Sequence, residues 1–137
     1  MGEDNRLHFL PRGRVLGIAD TVFHALHQFG AALATGNRFV LAGGEGIAHL
    51  LELLPKPLLA HTELANEWTA AKFDAVLLSD EARLDEVLRV LAARPGPIVQ
   101  VTCAAPEFRL SGLIKEKTVS ANTAAAGGNA SLMTIGR

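Results

Sequence analysis

The sequence has little of several residue types, and each shortage excludes a class of protein. It contains one cysteine in 137 residues, Cys103, which rules out an internal disulfide framework and fits a reducing compartment. It has no tyrosine and one tryptophan, and its 13 basic and 14 acidic residues give a formal net charge of −1. Because it lacks both a basic excess and aromatic groups for base stacking, we expect no nucleic-acid partner.

The chain also lacks long hydrophobic runs. No apolar stretch approaches the roughly 18 residues that suggest a membrane-spanning helix, so we expect no transmembrane segment. Met1 to Arg6 show no basic region followed by an apolar one, and therefore no secretory signal. Apolar residues still make up 49% of the chain, which is enough for the core of one domain. We expect a cytoplasmic protein.

Short apolar runs along the chain predict buried strands. They lie at 14–19, 38–42, 73–78 and 98–102, and helical patterns separate them. Strands that alternate with helices predict right-handed crossovers and a mostly parallel sheet, flanked by helices on both faces. The expected fold class is therefore α/β and Rossmann-like, with an extended tail at the C-terminus.

The helical segments carry apolar faces that we expect to pack on this sheet. The first helix follows Asp20, which can cap it. One face of this helix is apolar and consists of Val22, Leu26, Phe29 and Leu33, with Ala25 beside it. The opposite face is polar and consists of His24, His27 and Gln28. A second helix is predicted over 47–54, a short strand over 58–60, a third helix after a cap at Thr62, and a fourth over 84–91.

A glycine-rich turn suggests a nucleotide site but does not complete one. Gly43, Gly44 and Gly46 follow a predicted strand and precede a helix, which is where a dinucleotide's pyrophosphate would bind. His49 then stands where the third small residue of the fingerprint belongs, and no acidic residue follows at the right place for a ribose. These glycines are the candidate cofactor residues; the alternative, a tight strand-to-helix turn, is favoured, and we expect no cofactor in this chain.

Other reactive side chains also have ordinary explanations. Cys103 follows a strand but has no base or cation near it in sequence, so we expect a structural thiol and no catalytic residue. His24 and His27 lie three residues apart on one helix, and a metal would need further ligands such as His49 or His61. We expect solvated histidines and no metal. Trp68 is expected to anchor a core or an interface.

The last residues differ in character from the rest of the chain. Between Asn122 and Gly136 small residues dominate, no period of 2 or 3.6 is present, and Gly127-Gly128 permits unusual backbone dihedrals. We call residues 122–136 the docking tail, because so few anchors suit packing against a surface elsewhere. The residues expected to dock are Asn122, Thr123, Gly127, Gly128, Asn129, Leu132, Met133 and Ile135.

The tail also carries a family resemblance. The sequence NTAAAGGNASLMTIG, from Asn122 to Gly136, resembles the extreme C-terminus of the bacterial bifunctional proline-utilisation flavoproteins called PutA. A second segment, Pro11 to Leu16, is similar to the stretch that follows the aldehyde dehydrogenase region in that family. The resemblance therefore implies a domain plan of 1–13 as a leader from the preceding dehydrogenase domain, 14–114 as a C-terminal domain, and 115–137 as an extended strand and docking tail.

The resemblance implies a role as well as a place. PutA proteins join a FAD-dependent proline dehydrogenase to an NAD-dependent L-glutamate-γ-semialdehyde dehydrogenase, and the extra C-terminal domain of long members is related to the aldehyde dehydrogenase nucleotide-binding fold. The resemblance implies a non-catalytic lid or assembly domain whose partner is the aldehyde dehydrogenase domain of the same polypeptide. A second protomer is left open as a further partner, and the periphery of the inner membrane as an alternative location of the parent. A small NAD-binding domain and a free-standing adaptor are the competing functions.

Overall fold

The computed structural model describes residues 3–44, 46–104 and 109–122. In chain order the elements are β1 (Glu3–Pro11), β2 (Arg14–Ile18), α1 (Val22–Ala34), β3 (Arg38–Ala42), α2 (Leu50–Leu53), α3 (Lys56–Leu59), β4 (Thr62–Ala65), β5 (Ala75–Leu78), α4 (Leu84–Ala92), β6 (Gln100–Cys103) and β7 (Ile114–Asn122), with short 3₁₀ helices at Trp68–Ala70, Glu81–Arg83 and Leu110–Leu113. The chain divides into two compact units, Pro11–Lys115 and the residues on either side of it.

The larger unit is built on a five-stranded parallel sheet with the order β4-β3-β2-β5-β6. Its central strands read as nearly uninterrupted apolar runs, because helices cover both faces and leave no strand side in water. All four residues of β5 are buried, as are the last four of β2 and of β3. The predicted α/β class with a parallel sheet and flanking helices is confirmed.

Alternate residues of these strands point to opposite sides of the sheet and form two hydrophobic clusters. Phe39 and Leu77 belong to the cluster under α1, whereas Leu16, Val40 and Val76 belong to the cluster on the other face, together with Val87 of α4. Each cluster thus joins one sheet face to the helices that cover it, α1 and α2 on one side and α4 on the other. Because both faces are covered, the chemistry of this unit is confined to the ends of the strands and to the outer helix surfaces.

Helix α1 packs on the sheet with a side that only partly matches the predicted apolar face, because Phe29 is buried and Leu33 is partly buried, as predicted, but the other two residues are not. Its buried residues are Ala25, Gln28, Phe29, Ala31 and Ala32, while Val22 and Leu26 of the predicted apolar face are exposed. The buried Gln28 amide donates a hydrogen bond of 2.9 Å to the Ile18 carbonyl.

Gly17 makes room for this buried amide. A Cβ at Gly17 would lie 2.5 Å from Gln28 Oε1 and 2.5 Å from the Phe39 ring. The close fit of the Gln28 amide over Gly17 therefore helps to determine which side of α1 is buried, although Val22 and Leu26 are larger apolar residues.

The segment between β3 and β5 also differs from its prediction. The predicted helix over 47–54 reduces to a turn and the four-residue helix α2, and the predicted strand at 58–60 lies largely within helix α3. The third predicted helix, after Thr62, is instead strand β4, which pairs in parallel with β3 from Phe39↔Thr62 to Ala42↔Ala65. The open backbone edge of β3 supplies hydrogen-bond partners that a local propensity cannot show.

The second unit contains a two-stranded ribbon of β1 and β7. The extended strand predicted over 115–122 is present as β7, whereas β1 was not predicted. All described side chains from 4 to 10 and from 115 to 121 are exposed. The Ser120 hydroxyl donates to Asn5 Oδ1 at 2.5 Å, which links the two strands. This ribbon exposes apolar side chains of unusual size, and Phe9 is 60% accessible.

Candidate functional site

The strand order predicts that a ligand site would lie at the carboxyl edge of the sheet, between β2 and β5. In open parallel sheets a ligand binds where the strand order reverses, because crossovers leave that edge in opposite directions and open a crevice. Here the crevice is bordered by the residues after β2, including Asp20 and Thr21, and by Ser79 and Asp80 after β5. These residues are the candidate site that topology alone selects.

The polar groups of this crevice bind one another. The Ser79 hydroxyl lies 2.8 Å from an Asp20 carboxylate oxygen and can donate to it, and Arg83 lies 3.8 Å from the other oxygen. Thr21 Oγ1 accepts from the His24 backbone N–H at 3.1 Å and so caps α1. The predicted cap was Asp20; the structure uses the next residue because Asp20 is engaged across the crevice.

The electrostatics of the crevice disfavour a phosphate. A dinucleotide's pyrophosphate binds the free N–H groups at the first helix N-terminus, which a glycine-rich turn leaves open. In this chain the corresponding turn contains Ala19, Asp20 and Thr21, so a carboxylate stands there and a hydroxyl already caps the helix. Across the crevice, Asp80 adds a second carboxylate that accepts from the Ala82 N–H at 2.9 Å.

The glycine-rich turn singled out from the sequence follows the second strand of the topology, β3, rather than the first. Gly43 donates its N–H to the Ala65 carbonyl at 2.8 Å, and a Cβ at Gly43 would lie 2.9 Å from Asn66. Gly46 adopts a φ of 81° in the turn that precedes the four-residue helix α2. Close approach to β4 therefore explains Gly43, and Gly44 and Gly46 precede a helix too short to present an N-terminal anion site.

Cys103 ends β6 at the same edge of the sheet and is half-buried. Burial, and secondly the negative charge of Glu81, raise the pKa of the Cys103 thiol above its ordinary value. An activated nucleophile needs the opposite shift, produced by a base or a cation. The local field thus keeps this thiol protonated at neutral pH.

The histidines are not gathered into one site. His24 is half-buried, with its Nδ1 enclosed and without a hydrogen-bond partner, so the prediction of a solvated side chain was wrong for this residue. His49 Nδ1 lies 2.7 Å from an exposed Glu52 carboxylate. Across the described ranges, no three His, Cys, Asp or Glu side chains come close enough to hold a metal ion. Nor does this part of the chain contain a helix long and apolar enough to cross a membrane.

Two apolar surfaces escaped the sequence analysis. One is the exposed ribbon of β1 and β7. The other is a groove of about 260 Å³ between α4 and the segment that leads into β6, with Leu88, Leu91 and Ile98 among its walls. Arg94 closes one side, where its guanidinium carbon lies 4.1 Å from the centroid of the Phe73 ring. The signal that could have revealed the groove is Ile98, which follows Pro97 and is fully exposed.

Trp68 lies within the described part of the chain, whereas most of the docking tail does not. Trp68 is half-buried against the cluster that contains Leu16 and Val87, as expected of a core anchor. Asn122 is the last residue of β7. The other predicted docking residues lie outside the described part of the chain: Thr123, Gly127, Gly128, Asn129, Leu132, Met133 and Ile135.

Comparison with known proteins identifies relatives along almost the whole chain. No family model matches the sequence. The chain is 37% identical over 146 residues to the bifunctional protein PutA of Rhizobium meliloti, and 42% identical over 141 residues to those of Salmonella typhimurium and Escherichia coli. The alignments cover 98% to 99% of this chain but only 11% to 12% of those relatives. Identity at this level across nearly every element of the fold shows that the chain belongs to the PutA family.

Proposed function

We propose that this chain acts as a non-catalytic lid and assembly domain of a PutA polypeptide. The parent would oxidise proline to glutamate in the cytoplasm with FAD and NAD, by joining a proline dehydrogenase to an L-glutamate-γ-semialdehyde dehydrogenase. The observation that carries the proposal is the similarity of the whole chain to about one eighth of a bifunctional PutA. The domain would pack on the aldehyde dehydrogenase domain of the same polypeptide and help enclose the path of the intermediate.

The carboxyl edge of the sheet supports a role without chemistry of its own. Asp20 is held by Ser79 and Arg83, and Thr21 caps α1, so these groups already serve the fold. Burial raises the pKa of the Cys103 thiol, which is the opposite of the shift that activates a nucleophile. These groups thus have structural explanations, which supports a domain without catalytic residues.

The apolar surfaces support packing against a large partner. Leu7, Phe9 and Leu10 of β1 are exposed, as is Val119 of β7. A two-stranded ribbon is marginal on its own in water and gains stability when its apolar side is covered. The α4 groove offers a further concave apolar surface of the kind found at interfaces. A domain that docks through such surfaces can position a neighbouring site and exclude water from it without supplying a catalytic group.

Removal of the docking tail from the full-length polypeptide tests the proposal. We expect deletion of residues 122–136 to lower semialdehyde dehydrogenase activity, and the coupling of the two reactions, more than proline oxidation. Gly127→Val should reproduce part of the loss, because a β-branched side chain blocks both special dihedrals and close approach. Steady-state kinetics of each half-reaction, and the lag before NADH forms from proline, are the measurements.

A matched control separates the tail from a general effect on folding. Lys72→Gln changes an exposed residue of the sheet unit that belongs neither to the ribbon nor to the α4 groove, and it should leave both activities unchanged. Unchanged semialdehyde oxidation and an unchanged lag after tail deletion would refute the enclosing role.

A small nucleotide-binding domain is the second candidate, and the strand order favours it. The order β4-β3-β2-β5-β6 matches five of the six strands of the doubly wound dinucleotide-binding sheet, to which the aldehyde dehydrogenase nucleotide-binding fold is related. Asp20 at the pyrophosphate position argues against NAD. Calorimetric titration of the chain with NAD distinguishes the two functions: we expect no saturable binding, and a dissociation constant in the low micromolar range would favour this second function.

A further inference from the structure

The outer side of α1 is an apolar helix surface that the core does not use. Its exposed residues include Phe23 at 74%, Leu26 at 44% and Val22 at 40% accessibility. No Asp, Glu, Lys or Arg occurs between Thr21 and Asn37, so no charge interrupts this side. An exposed helix surface with large apolar side chains and no charged residue is typical of an interaction site. The exposed apolar residues and the absence of charged ones therefore indicate that another polypeptide segment covers the outer face of α1.

Gly30 gives the same indication independently. It lies in the middle of α1 and is exposed, and a Cβ at this position would meet no atom within 4 Å among the described residues outside its own helical turns. Glycine weakens a helix interior relative to alanine, and the contacts of the described residues do not require it here. With Phe23 and His27 before it and Ala34 after it, Gly30 forms a stripe at helical spacing that narrows from aromatic to small side chains. Such a stripe lets another helix or strand approach the backbone closely.

The size of this face indicates which occupant it suits. A 13-residue helix is about 20 Å long and about 10 Å wide, so one face buries roughly 200 Å² on each partner. Two free copies would bury roughly 400 Å² together, well below the roughly 1,200–2,000 Å² of a stable interface. A partner tethered in the same polypeptide needs much less area, because its effective concentration is of the order of millimolar. In the relatives, the matched segment is only 11% to 12% of the polypeptide, so such a tethered partner is available.

We propose that the outer face of α1, formed by Phe23, Leu26, His27, Gly30 and Ala34, is a further docking surface that receives an uncharged, apolar helix or strand from the remainder of the PutA polypeptide. None of these five residues belongs to the ribbon or to the α4 groove. The proposal rests on the proposed function in one respect, that the chain is joined to a longer PutA. It does not depend on the enclosing role of the tail.

Cysteine labelling measures whether the face is covered. In a Cys103→Ala background, Ala34→Cys places a thiol on the stripe and Ala82→Cys places one on an exposed 3₁₀ helix outside it. With a maleimide reagent, we expect Ala34→Cys to react at least tenfold more slowly in the full-length polypeptide than in the 137-residue chain. Ala82→Cys should react at rates within twofold in the two proteins. Equal rates for Ala34→Cys, or equal slowing at both sites, would overturn the proposal.

Dilution and a substitution series identify the occupant. Protection that disappears on hundredfold dilution would assign the face to a second copy and overturn the proposal, because protection by a tethered partner is independent of concentration. Gly30→Ala and Gly30→Leu should both raise the Tm of the isolated chain, by about 3 °C for alanine. In the full-length polypeptide only Gly30→Leu should restore fast labelling of Ala34→Cys. Unaltered protection in Gly30→Leu would show that close approach is not needed, and would also refute this account.

The labelling result and the kinetic result can fail separately. If tail deletion leaves the kinetics unchanged while Ala34→Cys stays protected, the docking face stands and the enclosing role falls. If tail deletion impairs the second half-reaction while Ala34→Cys labels freely, the enclosing role stands and the docking face falls.

Discussion

The central strands of the sheet unit bury their large apolar side chains, whereas the ribbon exposes its own to solvent. In the sheet unit, Leu16, Leu41 and Leu77 are completely buried between two helix layers. In the ribbon, Leu7, Phe9 and Val119 belong to strands whose described side chains from 4 to 10 and from 115 to 121 are exposed. The two regions have similar apolar residues, so their hydrophobicity does not explain the difference. What differs is the number of layers available to cover them.

This difference shows which region carries stability and which is available for binding. Burial of a leucine side chain stabilises the folded state by about 1.5–3 kcal/mol, whereas an exposed apolar side chain contributes almost none of this. A partner that covers the ribbon would bury these side chains, and their burial would then stabilise the complex. We therefore expect substitutions in the sheet unit to change folding, and substitutions in the ribbon to change association.

The strongest test of this comparison uses large apolar residues from each region. Leu77→Ala should lower the free energy of unfolding by about 2–5 kcal/mol, because it leaves a cavity in a fully buried site. Phe9→Ala should change it by less than about 0.5 kcal/mol in the isolated chain. Urea denaturation of both variants decides the matter, and a loss above about 1 kcal/mol for Phe9→Ala would show that the ribbon is stabilised within this chain.

A buried amide gives a test of intermediate size. Asn37 is almost fully buried; its Oδ1 accepts from the Gly13 N–H at 2.8 Å, and its Nδ2 donates to Thr35 Oγ1 at 2.8 Å and to the Leu113 carbonyl at 2.9 Å. Asn37→Ala leaves buried groups unpaired, and should destabilise the unit by about 1–3 kcal/mol.

The matched control in the ribbon is Asn5→Ala. It removes an exposed acceptor from Ser120 and should cost less than about 0.5 kcal/mol. Thermal unfolding of both variants measures the difference. Equal losses for the two asparagines would contradict the contrast between the regions.

The smallest expected effect concerns Cys103, at the edge where the sheet unit meets water. Because burial and the Glu81 carboxylate raise the pKa of this thiol, its alkylation rate should rise with pH only above the range in which free cysteine reacts. Glu81→Gln removes the charge, lowers the pKa toward its ordinary value, and should increase the rate at pH 8 by a few fold.

The sign for stability follows from the same shift in pKa. The folded state holds the Cys103 proton more tightly than the unfolded state does. The contribution of this thiol to the stability of the fold is therefore present below the pKa of the unfolded state and is lost as the pH rises through the pKa of the folded state. Glu86→Gln is the control, because Glu86 pairs with Arg83 at 3.5 Å and is not a cause of the shift. An equal increase in rate for Glu86→Gln would exclude a specific effect of Glu81.

Much of the sheet was predictable because its strands are buried on both faces. Ala75–Leu78 has no polar residue and no helical period that could compete, so local pattern and final structure agree. Thr62–Ala65 shows the opposite case. Four residues with mixed polarity carry too little information for a strand, and the open edge of β3 decided their conformation. The same limit applies to the candidate site, since Ser79 and Asp20 are 59 positions apart and meet only across the crevice.

By itself, the sequence determined the fold class, the absence of a complete dinucleotide fingerprint and the membership of the PutA family, because these depend on residue type, period and order along the chain. The tertiary structure decided which side of α1 enters the core. Helical periodicity favoured Val22, Leu26, Phe29 and Leu33, of which Phe29 is buried and Leu33 partly buried. Val22 and Leu26 are exposed, and Ala25, Ala32 and the Gln28 amide are buried instead, with Gln28 lying closely over Gly17. A periodic pattern shows that a helix has an apolar side, whereas only shape complementarity with the neighbouring layer selects the side that is buried.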